Sequence, residues 1–410
     1  MRSEASALRA LTATIAVILC GCQEQVGSPS PVTAYDSAGV TVLDFVVDTT
    51  IPAGLSLARE PRVTIGATDS DTFQLFRVVD AELMLDGTLV VANAGNSELM
   101  FFDDSGTLVR KQGRSGTGPG EFQSISWIDR RSPDSLAVGD DRLRRVIVLD
   151  RTGVPIRTVS IAGTAADASS SSVYAPQVRS MLADGSLLIA SYSSLMPQAG
   201  PQRTTATLFR YDPTSGALSD LGSWPAAELH LIPSEGRLAV LLPLLARDFI
   251  IEASPTVVAA GTTDRPEISL LAPTGDVSMI LRWTGAHRQL TPEQLTRETQ
   301  SRLEAFPDGP LREQRLREVE QISAHETVPA FGSIRISDDG AIWIGGYALR
   351  EDSTVAWLRV DPATREVARL AVPGAAQVLD ATNDRIVLLI RDDLDREVIA
   401  VHDLIRFNDR

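Results

Sequence analysis

Residues able to do chemistry are numerous in this 410-residue chain, but their spacing matches few catalytic patterns. His230, His287, His325 and His402 are scattered, and His325-Glu326 lacks the second histidine four residues on that a zinc-protease helix needs. No Gly-x-Ser-x-Gly elbow presents a nucleophilic serine. Asp69-Ser70-Asp71 and Asp392-Asp393-Leu394-Asp395 offer the closely spaced oxygens that calcium takes. Neither has the glycine or distal glutamate of a known calcium loop, so both read as solvated turns. The glycine-rich residues 112–122 lack the Gly-Lys-Ser/Thr of a phosphate cradle, and Pro119 opposes a following helix. They read as a turn that needs positive φ at several glycines, with Phe122 plugging a gap between neighbouring units. No catalytic residue, metal site or cofactor is expected from these patterns.

Charge narrows the partners. Thirty-eight basic residues stand against 53 acidic ones, a net of −15. With no basic tract to meet phosphates, nucleic acid is not an expected partner. Lys111 is the one lysine, so arginine is common everywhere and marks no site by itself. The two cysteines, Cys20 and Cys22, lie near the N-terminus and leave no disulfide framework for the body. Arg2 and Arg9 precede an apolar run at residues 10–20. That run is shorter than the ~20 residues of a membrane span but suits a signal peptide.

The signal ends in Leu19-Cys20-Gly21-Cys22, which resembles the bacterial lipobox. The resemblance implies cleavage before Cys22 and lipidation of its thiol and new amino group. A plain secretory signal with two incidental cysteines is the competing reading. On the lipobox reading, residues 1–21 are the signal peptide and residues 22–35 a flexible Gly-, Ser- and Pro-bearing tether. The expected location is the cell envelope, on a membrane reached through the N-terminal lipid. Gln23 is compatible with outer-membrane sorting, facing the periplasm or the surface.

The rest of the chain, residues 36–410, repeats a turn residue followed by an aliphatic run. It reads Gly87-Thr88-Leu89-Val90-Val91, Asp134-Ser135-Leu136-Ala137-Val138, Gly185-Ser186-Leu187-Leu188-Ile189, Gly236-Arg237-Leu238-Ala239-Val240, Gly340-Ala341-Ile342-Trp343-Ile344 and Asp384-Arg385-Ile386-Val387-Leu388. Six copies at this period predict an all-β fold, a six-bladed β-propeller of four-stranded units. Two stacked β-sandwiches are the alternative, which the regular spacing disfavours. The last unit lacks a fourth strand. Residues 61–66 are expected to supply it by pairing with 398–404, which closes the ring and removes an open edge. Residues 40–47 form a further strand with no assigned place.

Between the fourth and fifth copies, residues 291–322 read as a helical insertion. Thr291-Pro292-Glu293-Gln294 is a capping box that opens a first helix, and Phe306-Pro307-Asp308-Gly309-Pro310 separates it from a second. Residues 241–264 read as a long loop of the fourth unit and 191–204 as one of the third. In a propeller these insertions emerge on one face, where insertions often form a binding surface. The ligand-face candidates are Tyr192, Arg247, Asp248, Arg288, His325, Glu326, Tyr347 and Arg350.

Gln112-Gly113-Arg114-Ser115-Gly116-Thr117-Gly118-Pro119-Gly120-Glu121-Phe122 resembles a loop of bacterial six-bladed β-propeller lipoproteins, a group related to NHL-repeat propellers. Asp36-Ser37-Ala38-Gly39-Val40, Pro329-Ala330-Phe331 and residues 398–406 resemble other parts of that family. The resemblance implies a fold and a membrane tether, and no single activity. Two function classes follow. One is a non-catalytic binding propeller that holds a protein, peptide or glycan. The other is a lactonase-like hydrolase or lyase with a central-channel site. Such a site needs inward carboxylates or histidines, and the innermost strands read as mostly apolar or Arg-bearing, with Asp80, Asp129 and Arg179 standing out. That reading favours binding.

Overall fold

The computed structural model describes residues 32–47, 54–67, 73–161, 176–234, 236–285, 288–304, 306–322 and 324–407. The signal peptide, Cys22, His287 and the Asp69-Ser70-Asp71 turn lie outside them. No helix among the described residues is long and apolar enough to cross a membrane.

The chain opens with the hairpin β1 (Val32–Ser37) and β2 (Val40–Val46), followed by two short strands, β3 (Leu55–Leu57) and β4 (Val63–Ile65). Blade one is β5 (Val78–Leu83), β6 (Leu89–Asn93), β7 (Glu98–Phe102) and β8 (Leu108–Gln112). Blade two is β9 (Ile125–Ser132), β10 (Ser135–Asp140), β11 (Arg145–Asp150) and β12 (Pro155–Ser160). Blade three is β13 (Gln177–Met181), β14 (Leu187–Tyr192), β15 (Gly200–Tyr211) and β16 (Leu218–Ser234), extended by β17 (Arg237–Leu241). Blade four is β18 (Phe249–Ala253), β19 (Val258–Thr262), β20 (Glu267–Leu271) and β21 (Val277–Thr284). Helices α1 (Pro292–Glu304) and α2 (Pro310–Val319) come next. Blade five is β22 (Ser333–Ile336), β23 (Ile342–Gly345), β24 (Thr354–Asp361) and β25 (Glu366–Pro373), and blade six begins with β26 (Gln377–Ala381), β27 (Arg385–Arg391) and β28 (Glu397–Arg406).

Each blade is an antiparallel meander, and the innermost strands β5, β9, β13, β18, β22 and β26 touch in sequence, β26 returning to β5. The second strands are buried on both faces, as in Leu89–Asn93, because neighbouring blades cover each side. Apolar clusters fill the gaps between blades. Phe122 is fully buried between blades one and two, against Met84, Leu99, Phe101 and Ile125, as the glycine-rich loop implied. Gly113 and Gly120 in that loop have positive φ, and a Cβ on Gly113 would meet the Phe122 ring at 2.7 Å. The ring closes as expected: Val63, Thr64 and Ile65 pair with Val401, Ala400 and Ile399. The short strand β3 continues the edge beside Leu404, Ile405 and Arg406.

Three expectations are corrected. The copy at Gly236 is not a second strand of blade four. Its Gly236 does turn a hairpin at positive φ, but β17 pairs with β16 and stands half-exposed as a fifth strand of blade three. The true equivalent is β19, entered by a Ser254-to-Val257 turn, so residues 241–264 hold two strands and not one long loop. Residues 32–35, expected in the tether, belong to β1. The unplaced strand becomes β2, which runs parallel to β21 on the outside of blade four, with Leu43 and Phe45 packed beside Trp283.

The helical insertion sits between blades four and five. Its capping box forms: Gln294 N–H donates to Thr291 Oγ1 at 3.3 Å and Thr291 N–H to Gln294 Oε1 at 3.0 Å. Helix α2 turns a polar face inward. Glu318 is buried and accepts from Gln314 and Arg315, while Leu316 is 41% exposed.

Candidate functional site

The three segments expected to share a face do converge, and they meet at Glu228 on β16. Arg203 Nη1 lies 3.6 Å from Glu228 Oε1, the Arg247 N–H donates to Oε2 at 2.8 Å, and His325 Nε2 is 2.7 Å from Oε2. Arg203 also donates to Asp264, whose carboxyl it holds down at about 2. The inserted helix joins this face through Arg302, whose Nη1 donates to the carbonyls of Leu242 and Pro243 at 3.3 Å.

Beneath the insertion is a cavity of about 460 Å³. Arg179, Arg247, Asp248, Arg302, Arg335 and Tyr347 contribute its polar lining. Four of these are guanidinium groups and one is a carboxylate, in a chain whose net charge is strongly negative. Arg179, Ile251 and Arg335 also line a second cavity of about 540 Å³ at the centre of the blades, so the two adjoin.

The ligand-face candidates divide. Asp248 and Tyr347 line the mouth, and Tyr192 adjoins it by accepting from Arg179 Nη2 at 3.2 Å. Arg247 lines the same cavity but is only 8% exposed, so it is a buried wall residue and not an exposed rim side chain. Its Nη2 donates to Thr327 Oγ1 at 2.7 Å and to the Thr327 carbonyl, and its Nη1 donates to the Leu245 carbonyl. These bonds brace the insertion to blade four. Arg288 donates from Nη1 to both Asp352 oxygens, at 2.7 and 2.8 Å, and Arg350 lines a separate cleft with Asp352 and Ser301. His325 is held by Glu228, and Glu326 is exposed, accepting from Gln289 at 3.4 Å. These four stand away from the mouth lining.

The central cavity carries more charge than the sequence reading allowed. One residue of each innermost strand faces the equivalent rung of the second strand: Glu82 opposite Val90, Asp129 opposite Ala137, Ser180 opposite Leu188, Glu252 opposite Ala259, Arg335 opposite Trp343 and Asp380 opposite Val387. Glu82, Glu252 and Asp380 were missed. Glu252 was hidden by the misplaced fourth unit. Glu82 and Asp380 carried a signal, an acid flanked by aliphatic residues just before each turn. The inner strands are therefore not apolar enough to favour binding over catalysis.

Many of these charges latch blade to blade. Asp80 Oδ2 accepts from Ile128 N–H at 3.0 Å, and Asp380 Oδ2 from Leu83 N–H at 2.8 Å. Arg130 donates to the Leu83 carbonyl, Arg131 to those of Met181 and Leu182, and Arg335 to those of Val378 and Leu379. Burial pushes the carboxyls of Asp80 and Asp129 up to about 7, since a charge is poorly solvated between the blades. Burial also raises Glu252, Asp380 and, well above the usual range, Glu82, with Asp380 adding repulsion. Among the described residues no group of three or more His, Cys, Asp or Glu is placed to hold a metal ion. The Asp392 turn is structural: its carboxylate accepts from the N–H groups of Leu394 and Arg396.

Comparison with known proteins agrees with this geometry. The family model DUF5128, described as a 6-bladed beta-propeller, matches residues 70–173. The chain is a six-bladed β-propeller. A solved structure of a protein described as exported, from Bacteroides fragilis, superposes with a TM-score of 0.50 at 12% identity, covering 90% of this propeller and 100% of that chain. A DUF4221 member from Bacteroides vulgatus gives 0.47 at 9% identity over 87% of this propeller and 99% of that chain. Virginiamycin B lyase from Staphylococcus aureus gives 0.40 at 9% identity over 86% of this propeller and 100% of that chain. At 12% identity the likeness to the Bacteroides fragilis protein is one of fold alone. No curated protein matches the propeller.

Proposed function

We propose that this propeller is a binding module of the cell envelope, tethered to a membrane through a lipid on Cys22, and that it holds a protein, peptide or glycan at its insertion-covered mouth. The observation that carries the reading is Arg302. A helix that merely plugged the channel would present apolar side chains to it. Instead α1 sends a guanidinium into a cavity shared with Arg179, Asp248, Arg335 and Tyr347. Tyr and Arg are the residues most enriched at binding hot spots.

Two results test the proposal. Cys22→Ser is expected to move the protein from the membrane to the soluble fraction, and retention of that variant in the membrane would end the tether. In pull-downs from envelope extract, Tyr347→Ala and Arg302→Ala are expected to lose at least tenfold of the retained partner. Their unfolding free energies should stay within roughly 1 kcal/mol of the parent, because Tyr347 is only partly buried beside the Leu244 cluster and Arg302 makes only long hydrogen bonds. Equal retention by both variants would show that the mouth is not the working surface.

A further inference from the structure

The two adjoining cavities differ in what they lack. At the mouth, Arg179 has one hydrogen bond among the described residues, to Tyr192 Oη. Arg302 bonds two backbone carbonyls at the long distance of 3.3 Å, through a single nitrogen. Both retain N–H donors able to meet an anion. Deeper in, the deficit reverses. Glu82 accepts no hydrogen bond among the described residues, its nearest cation being Arg130 Nε at 3.6 Å. Asp129 accepts through Oδ2 from Ser180 Oγ at 3.0 Å, and Glu252 through Oε2 from Arg335 at 3.0 Å. Their other oxygens have no partner there. The inner arginines do not fill these oxygens because Arg130, Arg131 and Arg335 direct donors to backbone carbonyls of adjacent blades.

A ligand that complements both ends carries an anionic group and a donor-rich cationic group. We infer that the channel is a binding site for a small zwitterion of short-peptide size, its carboxylate on Arg179 and Arg302 and its ammonium group among Glu82, Asp129 and Glu252. The ammonium supplies three N–H donors and the guanidinium fork matches a carboxylate. The central cavity of about 540 Å³ falls within the usual size of small-ligand sites, roughly 300–1,000 Å³. A cation among Glu82, Asp129 and Glu252 also offsets the burial that raises their carboxyls. A ligand with one charge, of either sign, satisfies only half of the lining. The inference rests on the propeller being a binding module and names the ligand chemistry of that module.

The test uses the full-length chain and calorimetric titration with alanine peptides of two to four residues, each free, N-acetylated or C-amidated. Saturable binding of a free peptide, one per chain, is expected, weakened at least tenfold by either modification. In Arg179→Ala, amidation should cease to matter while acetylation still does. In Glu82→Gln the reverse is expected. Among the described residues Glu82 makes no hydrogen bond whose loss would unfold the blade, and unchanged thermal midpoints check both variants. Absence of saturable binding, equal binding of all three forms, or variants that keep the parent's discrimination would each overturn the inference. Tyr347-dependent capture from envelope extract together with no peptide binding would overturn this inference alone. Capture indifferent to Tyr347 and Arg302 would overturn the binding-module reading.

Discussion

Removal of residues 54–66 is expected to turn a folded monomer into an aggregating chain. These residues supply β3 and β4, the outer edge of blade six. Leu55 and Ile65 are 3% and 2% exposed and belong to the cores on either side of that blade. Without them β28 presents a row of unpaired backbone groups, the usual template for edge-to-edge association. The loss falls on a stability margin of only about 5–15 kcal/mol for a typical domain. Size-exclusion chromatography with light scattering and a circular-dichroism melt would read the outcome. A deletion that stops at residue 31 spares every described strand and should leave a monomer with the parent's melting temperature. A cooperative monomeric melt from the 54–66 deletion would show that the ring closes by other means.

Phe122→Ala is expected to cost roughly 3–5 kcal/mol, the range for deleting a fully buried aromatic ring. The ring is fully buried between blades one and two, and the loop that carries it is fixed around it. Arg114 Nε donates to Glu121 Oε1 at 2.8 Å, Gly118 N–H to Glu121 Oε2 at 2.8 Å, and Arg145 donates to the carbonyls of Thr117, Gly118 and Glu121. A loop held this firmly cannot collapse into the cavity, so the cost should lie toward the upper end. Leu394→Ala, at a side chain 72% exposed, should change stability by less than about 0.5 kcal/mol. Urea unfolding of both variants gives the comparison. A cost below about 1 kcal/mol for Phe122→Ala would mean that the loop relaxes and Phe122 is no plug.

What the sequence made legible was local. A turn residue followed by an aliphatic run specifies a hairpin and a strand buried on both faces, and five of the six copies behaved that way. Gly236 failed because the same turn chemistry builds any hairpin, including one that only lengthens a blade. The exposure of Val240, at 49%, is set by what lies across space and not by its neighbours in the chain. The parallel partner of β2 was illegible for the same reason, since nothing in residues 40–46 names residues 277–284. Of the ligand-face candidates, Asp248 and Tyr347 lie at the mouth, Asp248 because the loop insertions of a propeller share a face. Arg247 also lines the mouth, but its burial was not legible, because an arginine that braces backbone carbonyls has the same sequence signature as one that waits for a ligand. The inner ring of charge needed correct strand boundaries first, and one misplaced blade concealed Glu252.

The hairpin β1–β2 lies outside blade four, whereas ring closure rests on β3, β4 and β28. Tension applied on the N-terminal side of Val32 therefore loads the β1–β2 ladder first, then the parallel ladder between β2 and β21. Each can be stripped while β18 to β21 remain a complete four-stranded blade. Only afterwards does force reach the strands that hold the circle shut. Under such a load the hairpin is expected to act as a mechanical fuse, yielding in two stages before the closing strands bear strain.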